Sequence, residues 1–457
     1  MYVVIGGAGD AGLHLGKELI EEGHEVAFIE KKKDAADKAR GLDAYIVEGN
    51  VCNHRYMIDA DINDCDYYIG LTRDDSVNLL SASLANFYGC RTIARVKSPE
   101  LSKNAISRRY LPVGVDLSLC PSLISSLQIS RLFSFPSRLK NVKKTNIKTY
   151  HATVEEDSGC KNRKISSLDL PEGAIITSVF RGVKQIIPSD TFILQPEDEI
   201  CLFLDQRVNK EEVEKEIGCN LKTYGETKNA FIAGITPLAE TLAKKLIDSN
   251  ISITMMDLSP KRTKEAAEEI PEASVINADP LGHGVLLKEG IEKFDILLAT
   301  GRNLERNIFT SILSKQFNVS TAITLMDRID LKESVEKTLV DDAIVPNLLM
   351  VKAILNIIRE TKENPSRGFR RKKHFKTKTL ETEDILVEEI KVKKKVRCLN
   401  KKIGSFSPDI ADFLIAAVEK NGKGFIPNGE YVIKEGDKLF VLYHSSGYDT
   451  VKRWLIG

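Results

Sequence analysis

Tyr2-Val3-Val4-Ile5-Gly6-Gly7-Ala8-Gly9-Asp10-Ala11-Gly12 opens the chain and decides its fold. Residues 2–5 are a short β-branched run, and Gly7, Gly9 and Gly12 follow with G-x-G-x-x-G spacing. Residues 13–22 read as a helix with Leu13, Gly16 and Ile20 on one face, and residues 26–29 as a second strand ending on Glu30. In this arrangement Gly7 makes the tight turn, Gly9 lets the backbone approach a pyrophosphate, and Gly12 lets helix and strand pack closely. Ala8, Asp10 and Ala11 complete a loop whose backbone N–H groups, with the partial positive charge of the helix N-terminus, face the phosphates. Glu30 lies eighteen residues past Gly12, where a carboxylate accepts the hydroxyls of an adenosine ribose and repels a 2′-phosphate. A glycine-rich turn that binds nothing has the same spacing. The strand, helix and terminal acid in the required order favour a dinucleotide site.

Size and composition bound the rest. At 457 residues the chain has room for about three domains at ~150 residues each. Hydrophobic residues at 42% and charged residues at 29% are ordinary for a soluble globular protein, and a net charge of +1 predicts no general attraction to polyanions. The eight cysteines show no C-x-x-C pair and no metal-ligand spacing, so they read as small buried hydrophobes in a reducing compartment. The strand beginning at residue 2 leaves no room for a signal peptide. The best apolar run, residues 347–358, is shorter than the ~18 residues a membrane span needs and carries Lys352. The expectation is a cytosolic protein that meets a membrane only through a partner.

Strand and helix patterns alternate from residue 2 to about 115, as in a doubly wound parallel sheet. Further strands are expected at 45–50, 67–72 and 92–96, with helices over 31–40 and 76–88. Ligands in such folds sit at the carboxyl ends of the strands. Residues 7–12, Glu30, Asn50, Thr72 with Arg73, and Arg95 all fall at such ends, so five segments should converge on one crevice. A helical segment over 121–133 leads into a basic stretch, and from residue 150 short strands divided by turns make a small β-rich module.

The chain then repeats. Residues 230–234 match residues 3–7 with a shift of 227, and Asp257 lies 227 beyond Glu30. Asn307 lies 229 beyond Asn78, and Pro427 and Asp437 lie 239 beyond Pro188 and Asp198. The expected organisation is two Rossmann-like doubly wound domains, each followed by a small β-rich α+β module: residues 1–120, 138–220, 227–346 and 373–457. The second glycine loop is degraded. Gly234, Thr236 and Ala239 stand opposite Gly7, Gly9 and Gly12, Pro237 removes an N–H donor, and Thr324 is read as standing opposite Arg95. Gly234 and Asp257 remain candidate contacts, but the second copy reads as mainly structural.

Taken together, the glycine loop, the acid, the Thr72-Arg73-Asp74-Asp75 stretch with Asn78, the Arg95 strand and the tandem order resemble the TrkA family. The matching segments are residues 4–12, 26–30, 70–78, 93–99, 196–204 and 435–442, and the resemblance covers nearly the whole chain. It implies a cytosolic regulatory subunit of tandem conductance-regulating (RCK) domains that binds NAD(H), with ATP or ADP as a second nucleotide class. It also implies a homo-oligomeric ring that gates a membrane-embedded, Trk-type potassium-translocating subunit. Gly7, Ala8, Gly9, Asp10 and Ala11 would hold the pyrophosphate and Glu30 the ribose, with Thr72, Arg73 and Arg95 along the rest of the nucleotide. Asn50 departs from the family pattern, where an acid is more usual.

Two other classes compete. An NAD-dependent oxidoreductase needs an acid/base group and a substrate pocket, and the seven histidines form no constellation. A nucleotide-sensing DNA-binding regulator would use the basic run of Arg367, Arg370, Arg371, Lys372, Lys373, Lys376 and Lys378. No helix-turn-helix pattern accompanies that run, which reads more simply as a solvated linker, so neither catalysis nor nucleic-acid binding is expected.

Overall fold

A computed structural model describes residues 1–106, 114–138, 147–182, 184–223, 227–338, 340–363, 385–394, 396–406, 413–444, 447 and 451–456. The basic run 367–378 lies outside the described residues. The opening β-branched run forms β1 (Tyr2–Gly6), and Val3, Val4 and Ile5 are fully buried, as expected of a strand covered on both faces. It is followed by α1 (Asp10–Glu21), β2 (Glu25–Glu30), α2 (Lys33–Ala39), β3 (Tyr45–Glu48) and α3 (His54–Asp59). Then come β4 (Tyr67–Gly70), α4 (Asp75–Phe87), β5 (Arg91–Arg95), α5 (Pro99–Ile106) and β6 (Leu117–Leu119). The six strands are parallel in the order β3-β2-β1-β4-β5-β6, so the order reverses between β1 and β4. A crevice therefore opens at their carboxyl ends.

Next, α6 (Pro121–Arg138) leads into an antiparallel sheet of β7 (Lys148–Thr153), β8 (Ala174–Arg181), β9 (Lys184–Ile186) and β10 (Glu199–Leu204), closed by α7 (Lys210–Ile217). Its order is β7-β10-β8-β9. The second half repeats both layers. Its parallel sheet comprises β11 (Asn229–Ala233), β12 (Ser252–Asp257), β13 (Ser274–Asn277), β14 (Ile296–Ala299), β15 (Thr321–Leu325) and β16 (Asp342–Ile344). The crossovers are α8 (Pro237–Asp248), α9 (Pro260–Glu269), α10 (His283–Lys288), α11 (Leu304–Gln316) and α12 (Lys332–Glu336). After α13 (Pro346–Glu363), strands β17 (Ile385–Lys391), β18 (Phe413–Lys420), β19 (Lys423–Phe425) and β20 (Lys438–His444) rebuild the antiparallel sheet in the order β17-β20-β18-β19. The doubly wound sheets and small β modules expected from the sequence are both present.

The two halves exchange helices. From the first half, α6 inserts Ile129, Leu132 and Phe133 among Leu238, Leu242 and Leu246 of α8, in the core of the second parallel sheet. From the second half, α13 puts Met350, Val351, Ile354 and Ile358 into the core that contains Leu15 and Leu19 of α1. The apolar run 347–358 thus has its partner inside the protein. Arg359 seals the contact, its Nε donating to Glu22 Oε1 at 2.9 Å. The exchange also changes the reading of α1, whose residues turned to the core are Ala11, Gly12, Leu15, Gly16 and Leu19, while Leu13 and Ile20 are only partly buried. A helix lying between a sheet and a second helix carries a wider apolar stripe than the 13/16/20 spacing indicates. The small modules meet through Phe180, Cys201 and Phe203 on one side and Ala417, Phe440 and Leu442 on the other.

Where α6, α13 and the first module join, Gln128 of α6 donates to Glu199 Oε1, and Lys352 of α13 pairs with Glu197 at 3.2 Å. Burial pushes the Glu199 carboxyl up from 4.5 to about 7; Lys352, Arg131 and Lys332 oppose the shift and Asp342 adds to it. The folded chain thus holds a proton that the unfolded chain releases above about pH 4.5, so stability falls as pH rises through about 7. Discounted for its partial exposure, the loss between pH 4.5 and 8 is about 1–3 kcal/mol. Glu199→Gln is expected to match the wild type at pH 4.5 and to be more stable at pH 8, as read from urea midpoints. Equal midpoints at pH 8 would contradict this.

Candidate nucleotide site

Between β1 and α1 the chain turns on Gly7, whose φ of +107° strains any residue with a side chain. Gly7 N–H donates to Ile29 O at 2.9 Å, docking the turn on β2. A Cβ on Gly12 would lie 2.2 Å from Gly7 O, so helix and strand meet at a distance only glycine permits. Gly9 is the N-cap of α1 and contributes no side-chain cap. Gly9 and Asp10 are exposed, and a Cβ on Gly9 would meet nothing within 4 Å. The first N–H groups of α1 therefore face an open space that suits an anion.

Glu30 closes one side. Its Oε2 accepts from Ala8 N–H at 2.7 Å and its Oε1 from Lys32 N–H at 2.8 Å, so the carboxylate holds the glycine loop as well as presenting its remaining lone pairs. Gly49 N–H donates to Glu30 O at 2.8 Å, which sets Asn50 beside it; Asn50 is exposed and its Oδ1 accepts from Cys52 N–H at 3.0 Å. On the other side, Leu71 N–H donates to Gly6 O at 2.8 Å, and a Cβ on Gly7 would be 3.2 Å from Thr72 N. Thr72 thus abuts the loop, with Arg73 exposed next to it.

Arg95 comes from the end of β5. Its Nη1 reaches Thr72 O at 3.5 Å, and its buried Nε has no partner among the described residues. Burial pulls the Arg95 guanidinium below its ordinary range; Asp75 opposes and Arg73 reinforces the shift. A half-buried cation beside a second cation, with a donor left over, suits a phosphate better than a structural ion pair. Asp74 and Asp75 have plainer tasks: Asp74 caps α4 by accepting from Val77 N–H at 3.0 Å, and Asp75 accepts from Lys97 N–H at 2.8 Å.

Asn78 was not expected among these residues. It is fully buried; its Oδ1 accepts from Thr72 N–H (2.8 Å) and Oγ1 (2.7 Å), and its Nδ2 donates to Thr72 O (3.0 Å) and Arg95 O (2.9 Å). It fixes β4 to β5 where both enter the crevice. The signal for it was in the repeat, because Asn307 does the same in the second half, donating to Gly301 O (2.8 Å) and Leu325 O (2.9 Å).

That bond corrects one alignment. Pairing of β4 with β5 and of β14 with β15 sets Ala94, not Arg95, at the place of Thr324, so Leu325 stands opposite Arg95. One more residue is inserted ahead of β15 than residue counting indicates. An apolar side chain, Leu325, thus stands where Arg95 does in the first half.

Elsewhere the second copy keeps the frame and fills the space. Gly234 (φ +99°) donates to Met256 O at 2.7 Å, and Asp257 accepts from Ile235 and Ser259 N–H at 2.8 Å each, as Glu30 does from Ala8 and Lys32. Yet Thr236 caps α8 itself by accepting from Ala239 N–H at 3.3 Å, and Pro237 occupies the first helical position. Arg262 Nη1 lies 3.1 Å from Asp257 Oδ2 and so engages the acid. Ala35 holds the matching position in the first half.

The TrkA-N domain family model matches residues 3–117 and again 230–346, and the TrkA-C domain model matches residues 150–207 and 387–456. This chain belongs to the TrkA family. It is 27% identical over 448 residues to a Trk system potassium uptake protein TrkA homolog of Archaeoglobus fulgidus, covering 96% of this chain and 97% of that protein. A TrkA homolog of Methanosarcina mazei is 26% identical over 467 residues, covering 99% and 100%. TrkA of Vibrio alginolyticus is 24% identical over 371 residues, covering 79% of each. Among solved structures, the GsuK channel bound to NAD superposes with a TM-score of 0.53 at 15% identity, over 99% of this chain and 78% of that one. The human SLO3 gating ring does so with a TM-score of 0.50 at 9% identity, over 98% and 99%. These likenesses establish the tandem RCK fold. Among the described residues no helix is long and apolar enough to cross a membrane.

Proposed function

We propose that this chain is a nucleotide-sensing regulatory subunit of a membrane potassium-uptake system, with its working nucleotide site in residues 1–120. The observation that carries the reading is the contrast between the halves: one frame twice, with α1 uncapped and Arg95 Nε unpartnered among the described residues in the first half, and in the second Thr236 and Pro237 closing the start of α8, Arg262 engaging Asp257 and Leu325 standing at Arg95's place. Gly7, Ala8, Gly9, Asp10, Ala11 and Gly12 would hold the pyrophosphate of NAD(H), Glu30 and Asn50 the adenosine ribose, and Thr72, Arg73 and Arg95 the remaining phosphate charge. ATP or ADP presents the same ribose and phosphates to these residues. Gly234 and Asp257 keep loop geometry without forming a second site. The relatives are named as transport-system proteins, and the subunit acts in that way without catalysis, reaching the inner face of the membrane through its potassium-translocating partner.

The reading includes assembly into a homo-oligomeric ring, which the likeness to a gating ring supports. The units are residues 1–120, 138–220, 227–346 and 373–457. Because α13 packs on α1 and α6 packs on α8, movement at the glycine loop passes directly to the other half. Nucleotide shifts the ring only if it binds one arrangement more tightly than another. Coupling of this kind is typically about 1–3 kcal/mol and reciprocal, so the membrane partner must alter nucleotide affinity by the same factor. Measuring NADH, ATP and ADP affinity with and without that partner in detergent tests this. A stable complex whose formation changes none of these affinities would leave the chain a nucleotide-binding scaffold.

Glu30 gives a narrower expectation. Wild type should prefer NADH to NADPH, and Glu30→Ala should weaken NADH binding by about 1.5–3 kcal/mol, the range for a hydrogen bond to a charged group. Equal affinities of wild type for the two cofactors, measured by calorimetry, would count against the ribose role.

A further inference from the structure

In the first small module α7 ends on Gly218, whose φ is +67° and whose N–H donates to Glu214 O at 2.8 Å. The turn over residues 155–160 lies against this helix end, with Cys160 N–H donating to Ile217 O at 3.1 Å. A Cβ on Gly218 would be 2.3 Å from Gly159 N, so the two backbones touch where both residues are glycine. The residue following each glycine is a cysteine. Cys160 is fully buried, Cys219 is 8% exposed, and their Sγ atoms stand 4.0 Å apart.

The repeat separates packing from chemistry. Cys398 occupies the place of Cys160 in the second module, and its N–H donates to Leu455 O at 3.3 Å as that of Cys160 does to Ile217 O. A small buried residue is thus a packing requirement at that position. Two residues beyond Leu455 the sequence has Gly457, whereas two residues beyond Ile217 it has Cys219. The second thiol is therefore peculiar to the first module and is not demanded by the architecture.

We propose that Cys160 and Cys219 form a reversible intramolecular disulfide when the protein meets a peroxide-class oxidant, tying the end of α7 to the turn over residues 155–160. A disulfide needs an S–S distance of about 2.05 Å, so the sulfurs must approach by about 2 Å. Cys219 is the attacking group: its contacts with the Cys160 sulfur and with Ser158 Oγ favour its thiolate, while the contact between the two sulfurs raises Cys160. The thiolate attacks one peroxide oxygen, giving a sulfenic acid and releasing hydroxide. The Cys160 sulfur, losing its proton to that hydroxide, then attacks the sulfenic sulfur and displaces a second hydroxide. With the proton taken up from solvent, two thiols and one peroxide become one disulfide and two waters.

The test treats the full chain with hydrogen peroxide, unfolds it in guanidinium with N-ethylmaleimide, and maps the tryptic peptides. Labelled thiols should fall from the eight in the sequence to six, with the Cys160 and Cys219 peptides recovered linked, and dithiothreitol should restore full labelling. Cys219→Ser and Cys160→Ala should each lose the linked species. Full labelling after peroxide overturns the proposal. So does a link elsewhere, as between the neighbouring buried Cys65 and Cys90, or independent overoxidation of the two thiols. Mapping the wild type alone decides, whatever the variants' stability.

Discussion

Gly9→Val is expected to abolish nucleotide binding while leaving the stability of the fold unchanged. Gly9 has φ −76° and ψ −178°, an extended backbone that any residue adopts. A Cβ there meets nothing within 4 Å, so valine enters without strain or clash. It projects into the space a pyrophosphate must occupy and moves the phosphate away from the first N–H groups of α1. Overpacking costs about 1–3 kcal/mol and each lost charge-assisted hydrogen bond about 1.5–3. Together these weaken binding by at least about a hundredfold. Gly12 is the informative contrast, because its Cβ would lie 2.2 Å from Gly7 O and even Gly12→Ala must displace α1. That variant should lose stability and binding together. Calorimetry with NADH should give one site per wild-type chain and none for Gly9→Val, with equal urea midpoints. Two equivalent sites in wild type would show that Thr236 and Arg262 do not close the second copy. Unchanged binding by Gly9→Val would place the phosphates elsewhere.

Much of this was legible in the sequence because it depends on local requirements. A left-handed turn needs Gly7, a helix that approaches a strand closely needs Gly12, and a parallel strand covered on both faces reads as the continuous apolar run from Val3 to Ile5. The repeat was legible by counting. What escaped depends on contacts distant in sequence. Helical periodicity marks α6 and α13 as amphipathic but does not say that each packs in the other half. The single-residue insertion before β15 is invisible without strand register, which is why Leu325 rather than Thr324 faces Arg95's position. Glu30 was assigned to a ligand from its place at the tip of β2, yet its bonds to Ala8 and Lys32 recur around Asp257, so part of its role belongs to the fold.

Asn78→Ala should lower both stability and nucleotide affinity, and Asn307→Ala stability alone. Asn78 satisfies the backbone N–H and carbonyl of Thr72 and the carbonyl of Arg95 from a fully buried position. Leaving buried backbone groups unmade costs about 1–3 kcal/mol each, so about 2–4 kcal/mol is expected after partial relaxation. Asn307 holds the carbonyls of Gly301 and Leu325 in the same way, and its removal should cost a similar amount. The two differ in what they hold. Behind Asn78 stand Thr72 against the glycine loop and the unpartnered Nε of Arg95; behind Asn307 stand a glycine and a leucine. Loosening Thr72 and Arg95 should reduce NADH affinity tenfold or more, about 1.4 kcal/mol, whereas the Asn307 variant should bind as wild type does. Urea midpoints with NADH titrations on both variants separate the outcomes. Equal loss of stability with no change in affinity for either variant would remove Thr72 and Arg95 from the site and leave the glycine loop and Glu30 to bind alone.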